Sequence, residues 1–181
     1  MKKLLQIVLI IIIIIAVAII GVMVYFSSYM QINKKELKPN EVILEGTNGM
    51  KALVLYQKTK HESGTNITMA LADSLNKLGY TVVINHPSTE LTYQAADYDI
   101  MAFGSGVYMG GVSEPLTKYM EQTDMTGKQV IVYAVGENME EMAEVELLKS
   151  KAQSAAKLDG IKVKKGEESK IADFVTEFIS K

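Results

Sequence analysis

The 181-residue chain predicts an α/β domain. Its expected form is a three-layer sandwich around a five-stranded parallel sheet, preceded by one N-terminal transmembrane helix. Three observations carry this expectation. Residues 4–26 form an apolar run in which Gln6 is the only strongly polar member. From Lys51 onward, short apolar runs bounded by turn residues alternate with segments of helical periodicity. Residues 97–115, DYDIMAFGSGVYMGGVSEP, read as a buried strand that enters a glycine-rich loop. Strand–helix alternation of this kind implies a parallel sheet joined by right-handed crossovers.

The apolar run comes first. As a helix at about 1.5 Å per residue it spans roughly 34 Å, enough for a hydrocarbon core of about 30 Å. Its β-branched residues weaken a helix in water, but in lipid the backbone must satisfy itself internally. Tyr25 and Tyr29 suit the interface. A cleaved signal peptide is the competing reading. It requires a shorter apolar region and a small-x-small site, whereas Val-Tyr-Phe-Ser-Ser-Tyr follows here. An uncleaved single-pass anchor is therefore expected, in contact with membrane lipid. Lys2 and Lys3 flank the run directly; Lys34, Lys35 and Lys38 begin eight residues beyond it. That asymmetry leans slightly towards an extracytoplasmic domain.

Residues 27–40 are polar and lysine-bearing and read as a tether, with the domain over 41–181 and its core from about residue 51. Val42-Ile43-Leu44 suits a short strand. Residues 52–56 form the first buried strand. Ile67, Leu71, Leu75 and Leu78 predict a helix over 65–78, ended by Gly79 as a C-cap. Strands follow at 80–84, 100–103 and 130–135, with a loop and short helix over 86–96 and a helix beginning at 114–120. A long helix is expected over 139–158. A short polar strand at 161–163 suits a sheet edge. Ile171, Phe174, Val175 and Phe178 give the last helix, 170–179, an apolar face.

Composition excludes several chemistries. With no cysteine, disulfides, thiolate metal sites and a cysteine nucleophile are absent. All 19 basic residues are lysines, so no guanidinium can clamp a phosphate. Five lysines precede residue 41 against one acid, Glu36; the remaining fourteen face twenty acids. An acidic domain without a basic stripe argues against nucleic-acid binding. His61 and His86 fall in loops without metal-ligand spacing. No nucleophile elbow or Walker lysine is present.

The loop after the third strand carries a resemblance. Gly104-Ser105-Gly106-Val107-Tyr108-Met109-Gly110, preceded by Asp-Tyr-Asp and a strand and followed by Pro115, resembles the flavodoxin-like family. The resemblance covers roughly residues 51–181. It implies a sheet of strand order 2-1-3-4-5 with FMN bound at the carboxyl edge, between the first and third strands. On that reading Ser105, Gly106, Val107, Tyr108, Met109 and Gly110 wall the flavin. The glycines let it approach the backbone, and Tyr108 supplies a flat aromatic face. Packing of Tyr108 under its own loop is the alternative. Gly136 and Glu137, after the fourth strand, border the same crevice. A carboxylate there disfavours the anionic reduced flavin by like-charge repulsion.

The loop after the first strand, QKTKHESGTNIT, ends in Ser63, Gly64, Thr65, Asn66 and Thr68, which suit a phosphate at a helix amino end. The family carries Ser/Thr-x-Thr-Gly-x-Thr directly after the strand; this loop is about three residues longer and matches in part. The same residue types equally suit helix capping by Ser63 or Thr65.

The resemblance thus implies a membrane-anchored protein that binds FMN, transfers electrons and meets a redox partner protein. Two alternatives stay open. A flavin- or quinone-linked oxidoreductase of the same fold would accept hydride or reduce a quinone. A flavin-free binding or adaptor module would be colourless.

Overall fold

The structure is a computed structural model and describes residues 2–58 and 62–181. Thr59, Lys60 and His61, part of the first loop read above, lie outside the described residues.

Helix α1 runs over Lys2–Lys34. It therefore continues well past the apolar run, and the first eight residues read as tether are helical. A 23-residue stretch, Gln6–Ser28, is long and apolar enough to cross a membrane, and none of it is buried against the domain. Strand β1, Val42–Leu44, follows.

The domain then alternates: β2 Lys51–Gln57, α2 Ser63–Lys77, β3 Thr81–Asn85, β4 Ile100–Gly106, α3 Glu114–Gln122, β5 Gln129–Val135, α4 Ala143–Ser150, β6 Lys157–Val163 and α5 Glu168–Ser180. The sheet order is β1-β3-β2-β4-β5-β6. Counted from β2, its five parallel strands have the expected order 2-1-3-4-5. The sheet has six strands rather than five because β1 adds an antiparallel edge to β3, pairing Val42 with Ile84 and Leu44 with Val82.

Side-chain alternation along each strand builds the two outer layers. Ala52, Val54 and Tyr56 of β2 face α2 and α5, where Ile67, Leu71, Leu75, Ile171 and Val175 meet them. Leu53 and Leu55 face the opposite side and pack with Leu116, Met120, Val145 and Leu148 of α3 and α4. Strands covered on both faces read as continuous apolar runs, which is why β2, β4 and β5 were conspicuous in the sequence.

Two elements depart from expectation. The helix predicted over 139–158 is confined to α4, and β6 starts four residues earlier than the predicted strand. Helix-forming residues continue past Ser150, but Ala152 and Ala155 form turns there, and Lys157–Val163 pair with β5 in register. Gly160 makes that pairing compatible with α4. A Cβ at this position would lie 2.5 Å from Val132 Cγ2 and 2.7 Å from Val145 Cγ1. At the other end of α2, Gly79 adopts φ 94° and donates its N–H to Asn76 O, as expected of a left-handed C-cap.

Candidate functional site

Parallel strands place all their following loops on one edge of the sheet. Here the loops after β4, β5 and β6 and the amino end of α2 converge on a cavity of about 150 Å³. Ser63, Gly106, Val107, Tyr108, Val135, Gly136, Glu137 and Lys165 line it. Six of these were singled out from the sequence.

Backbone bonds fix the loops to one another. Val107 N donates to Val135 O at 2.9 Å, and Gly136 N to Val163 O at 3.0 Å. Gly136 permits this close approach: a Cβ there would sit 3.0 Å from Val107 Cβ, and Val107 would have to give way by a few tenths of an ångström. Tyr108 and Gly111 exchange two backbone bonds, of 3.1 and 2.9 Å, across a two-residue turn. Met109 at φ 54° and Gly110 at φ 72° form its tip. Two successive positive φ values are the geometry of the tight primed hairpin turn, favourable for glycine and strained for methionine. Met109 is 63% exposed.

Ser105 does not line the cavity. It is buried, donates its hydroxyl to Gly106 O at 2.9 Å and accepts Ser113 N–H at 2.9 Å. Its role here is to hold the loop. Ser113 in turn caps α3 by accepting Leu116 N–H. Gly104 also serves packing rather than ligand approach. It lies within β4, and a Cβ there would lie 2.0 Å from Tyr133 Cζ.

The amino end of α2 separates its hydroxyl residues. The N-cap position is Glu62, without a side-chain capping bond, so neither Ser63 nor Thr65 caps the helix. Thr65 Oγ1 is buried and, among the described residues, has no hydrogen-bond partner. Asn66 is exposed and Gly64 buried on the same turn. Thr68 lies behind the site: it is fully buried, donates to Gly64 O at 2.8 Å and shares a 2.7 Å bond with Tyr133 Oη. Burial drives the Tyr133 phenol pKa well above its ordinary value, with the Thr68 bond opposing that shift, so Tyr133 stays protonated.

Two lysines escaped the sequence reading. Lys165 lines the cavity from the loop after β6. Its position two residues beyond the carboxyl end of that strand is the available signal, since the expected strand and β6 both end at Val163. Lys162 is 2% exposed and lies beneath the site. It donates to Glu144 Oε2 at 2.7 Å and to Glu141 O at 2.6 Å, tying the loop after β5 to the sheet. Its Cε would lie 3.6 Å from a Cβ at Gly136. Glu114 is away from the cavity and pairs with Lys34 at 3.7 Å. Among the described residues no cluster of three or more His, Asp or Glu suits a metal ion.

The segment after α1 crosses this same edge. Asn33 Nδ2 donates to Tyr108 O at 3.0 Å, and Gln57 Nε2 at the end of β2 donates to Lys35 O at 3.0 Å. Glu36 Oε1 accepts from Ser88 Oγ at 2.7 Å, Thr89 N at 2.5 Å and Thr89 Oγ1 at 2.9 Å. The Thr89 amide bond, followed by the two hydroxyl bonds, lowers the Glu36 pKa from the usual carboxylate value.

Comparison with known proteins fits this architecture. No family model matches the sequence. An uncharacterized protein of Methanocaldococcus jannaschii is 29% identical over 85 residues, 47% of this chain and 53% of that protein, so the match spans about half the length of this relative. Among solved structures, oxidised flavodoxin 2 of Bacillus cereus superposes with a TM-score of 0.60 at 21% identity, over 72% of this chain and 98% of that one. A flavodoxin from the domain Archaea gives 0.58 at 14% identity, over 72% and 97%. A flavoprotein of Lactobacillus acidophilus, solved in complex with FMN, gives 0.51 at 12% identity, over 68% and 99%. With its doubly wound sheet, its strand order and these neighbours, the chain has the flavodoxin-like fold.

Proposed function

We propose that the chain is a membrane-anchored flavodoxin-like protein that binds FMN and transfers electrons to and from a partner protein. One observation carries the reading. The loops after β4, β5 and β6 converge on a cavity beside an α2 amino end where a buried threonine hydroxyl has no partner among the described residues. A buried polar atom without a bond is uncommon and calls for an explanation. A phosphate oxygen beside Thr65 would supply one, with the free N–H groups and dipole of α2 favouring the anion. Lys165 would add positive charge, in place of the arginine that this chain lacks. The FMN-bound structure of a neighbour supports the choice of cofactor.

On this reading Ser63, Gly64 and Thr65 hold the phosphate, while Val107, Tyr108, Gly136 and Glu137 border the ring. FMN supplies the electron-transfer chemistry; the protein binds it, excludes water and sets the local charge. Glu137 at the rim places a carboxylate where negative charge on the reduced cofactor is disfavoured. The Gln6–Ser28 stretch supports the anchor.

A second reading, a flavin-free binding module, is favoured by one observation. The cavity of about 150 Å³ is smaller than the roughly 300 Å³ at which small-molecule sites begin. Titration of FMN into the detergent-solubilised full chain separates the two. The electron-carrier reading expects quenched flavin fluorescence and a structured visible absorption band. A flavin spectrum identical with that of free FMN selects the binding module.

A further inference from the structure

The expected tether does not hold the domain at a distance. Residues 6–28 of α1 stand exposed, while the last turn of the helix is bonded to the domain. That bonding is to the carboxyl edge of the sheet. Asn33 donates to the carbonyl of Tyr108, in the turn that walls the candidate site, and Lys34 pairs with Glu114 at the start of α3. The chain beyond α1 remains attached there through Lys35 and Glu36. It then enters β1, which runs away from this edge, antiparallel to β3.

Distance along the helix sets the height of the site. Asn33 lies five residues beyond Ser28, about 8 Å at the rise of an α-helix. The headgroup layer on one side of a bilayer is about 5–8 Å thick. A turn bonded to Asn33 thus lies at the level of the lipid headgroups, not in bulk water. The tip of that turn is Met109, at positive φ and 63% exposed. No other large apolar residue of the described domain is as exposed. Lys34, Lys35 and Lys38 put positive charge at the same level, where anionic headgroups attract it.

Resting on the anchor in the reading above, we infer that the carboxyl edge of the sheet, with the candidate site, is seated on the lipid headgroup surface, and that Met109 is the residue in contact with it. The surface the site presents is then a membrane surface. A partner reaches the site along the bilayer rather than from the aqueous side opposite.

The chain has neither cysteine nor tryptophan, which makes the test direct. Met109→Cys and Asp124→Cys in the full chain each give one site for an environment-sensitive fluorophore. Asp124 is an exposed position before β5, on the opposite edge of the sheet. Each labelled protein is reconstituted in vesicles of phosphatidylcholine and phosphatidylglycerol carrying a spin-labelled headgroup in both leaflets. The label at 109 is expected to lose most of its emission and the label at 124 to keep it. Met109→Trp repeats the measurement with an intrinsic probe and no label. Equal emission from both positions, in protein that floats with the vesicles, overturns the seated geometry and leaves the anchor standing. Protein that fails to float overturns both.

Discussion

Two threonines three residues apart in α2 have opposite surroundings, and so do two lysines three residues apart around the end of β6. Thr68 is fully buried with two hydrogen-bond partners, while Thr65 keeps a buried hydroxyl with none among the described residues. Lys162 is buried against Glu144 and Glu141, while Lys165 lines the cavity. Thr68 and Lys162 belong to the framework beneath the site; Lys165 lines the cavity, and Thr65 stands beside it at the amino end of α2. The framework groups are satisfied internally, so their replacement should appear as lost stability. On the FMN reading proposed above, Thr65 and Lys165 bond the ligand, so their replacement should appear as lost affinity.

The sharpest test of this division is Lys162→Met. It strands the Glu144 carboxylate, whose side chain is 7% exposed, without its cation. Breaking a buried pair from one side costs about 3–5 kcal/mol. Chemical denaturation should show a loss of that size, and replacing both partners with apolar residues should restore most of it. An unchanged midpoint for the single variant would break the comparison.

Thr65→Val is expected to do the reverse. Loss of a hydrogen bond to a charged phosphate is worth roughly 1.5–3 kcal/mol, about 10–100-fold in affinity. FMN binding should weaken by that factor, riboflavin binding should change little, and the unfolding midpoint should hold. Equal losses for both ligands would mean that Thr65 does not read the phosphate.

Thr68→Val sharpens the contrast from the framework side. It leaves the Tyr133 hydroxyl buried without its partner, a loss of about 1–3 kcal/mol. The double variant with Tyr133→Phe removes both polar ends and should recover part of the loss. FMN affinity should be unaffected in both proteins.

Tyr108→Ala concerns the wall again. Loss of an aromatic face, worth about 0.5–1.5 kcal/mol beyond its buried area, should weaken FMN about tenfold and raise flavin fluorescence. The apoprotein should remain folded. Unfolding with residual flavin binding intact would place Tyr108 in the framework.

The smallest effect is expected at Glu36. Its pKa is lowered in the folded chain, so its contribution is fully present above the ordinary carboxylate value and is lost as pH falls through the lower, folded value. Hydrogen exchange at the Thr89 amide, which Glu36 accepts, should accelerate over that acid range. Glu36→Gln should remove most of the pH dependence.

The sequence made the fold legible where burial is two-sided. The apolar runs of β2, β4 and β5, and the Ile67–Leu71–Leu75 stripe of α2, announce both layers. Periodicity was least informative at β6, an edge strand with mixed polar and apolar residues, where Lys162 is buried only because Glu144 neutralises it. Local propensity likewise extended α4 through a turn that β5 pairing and the small surface of Gly160 enforce. The glycine-rich and Gly-Glu loops meet at one cavity because sheet topology sends both to the same edge. What local sequence could not distinguish was which hydroxyl of a Thr-x-x-Thr pair faces inward. That depends on Tyr133, 65 residues further along the chain from Thr68.

Strand β1 gives this molecule a mechanical property. On the anchored reading, a pull from the bilayer meets the contacts of Asn33, Lys34, Lys35 and Glu36 first, and whatever passes them enters the start of β1 and runs along the strand. Its three pairs, Val42 with Ile84, Ile43 with Val83 and Leu44 with Val82, would be loaded together in shear rather than unzipped in turn. Drag on the domain as the anchor diffuses would thus be shared between those contacts, the Tyr108 carbonyl among them, and the paired sheet edge.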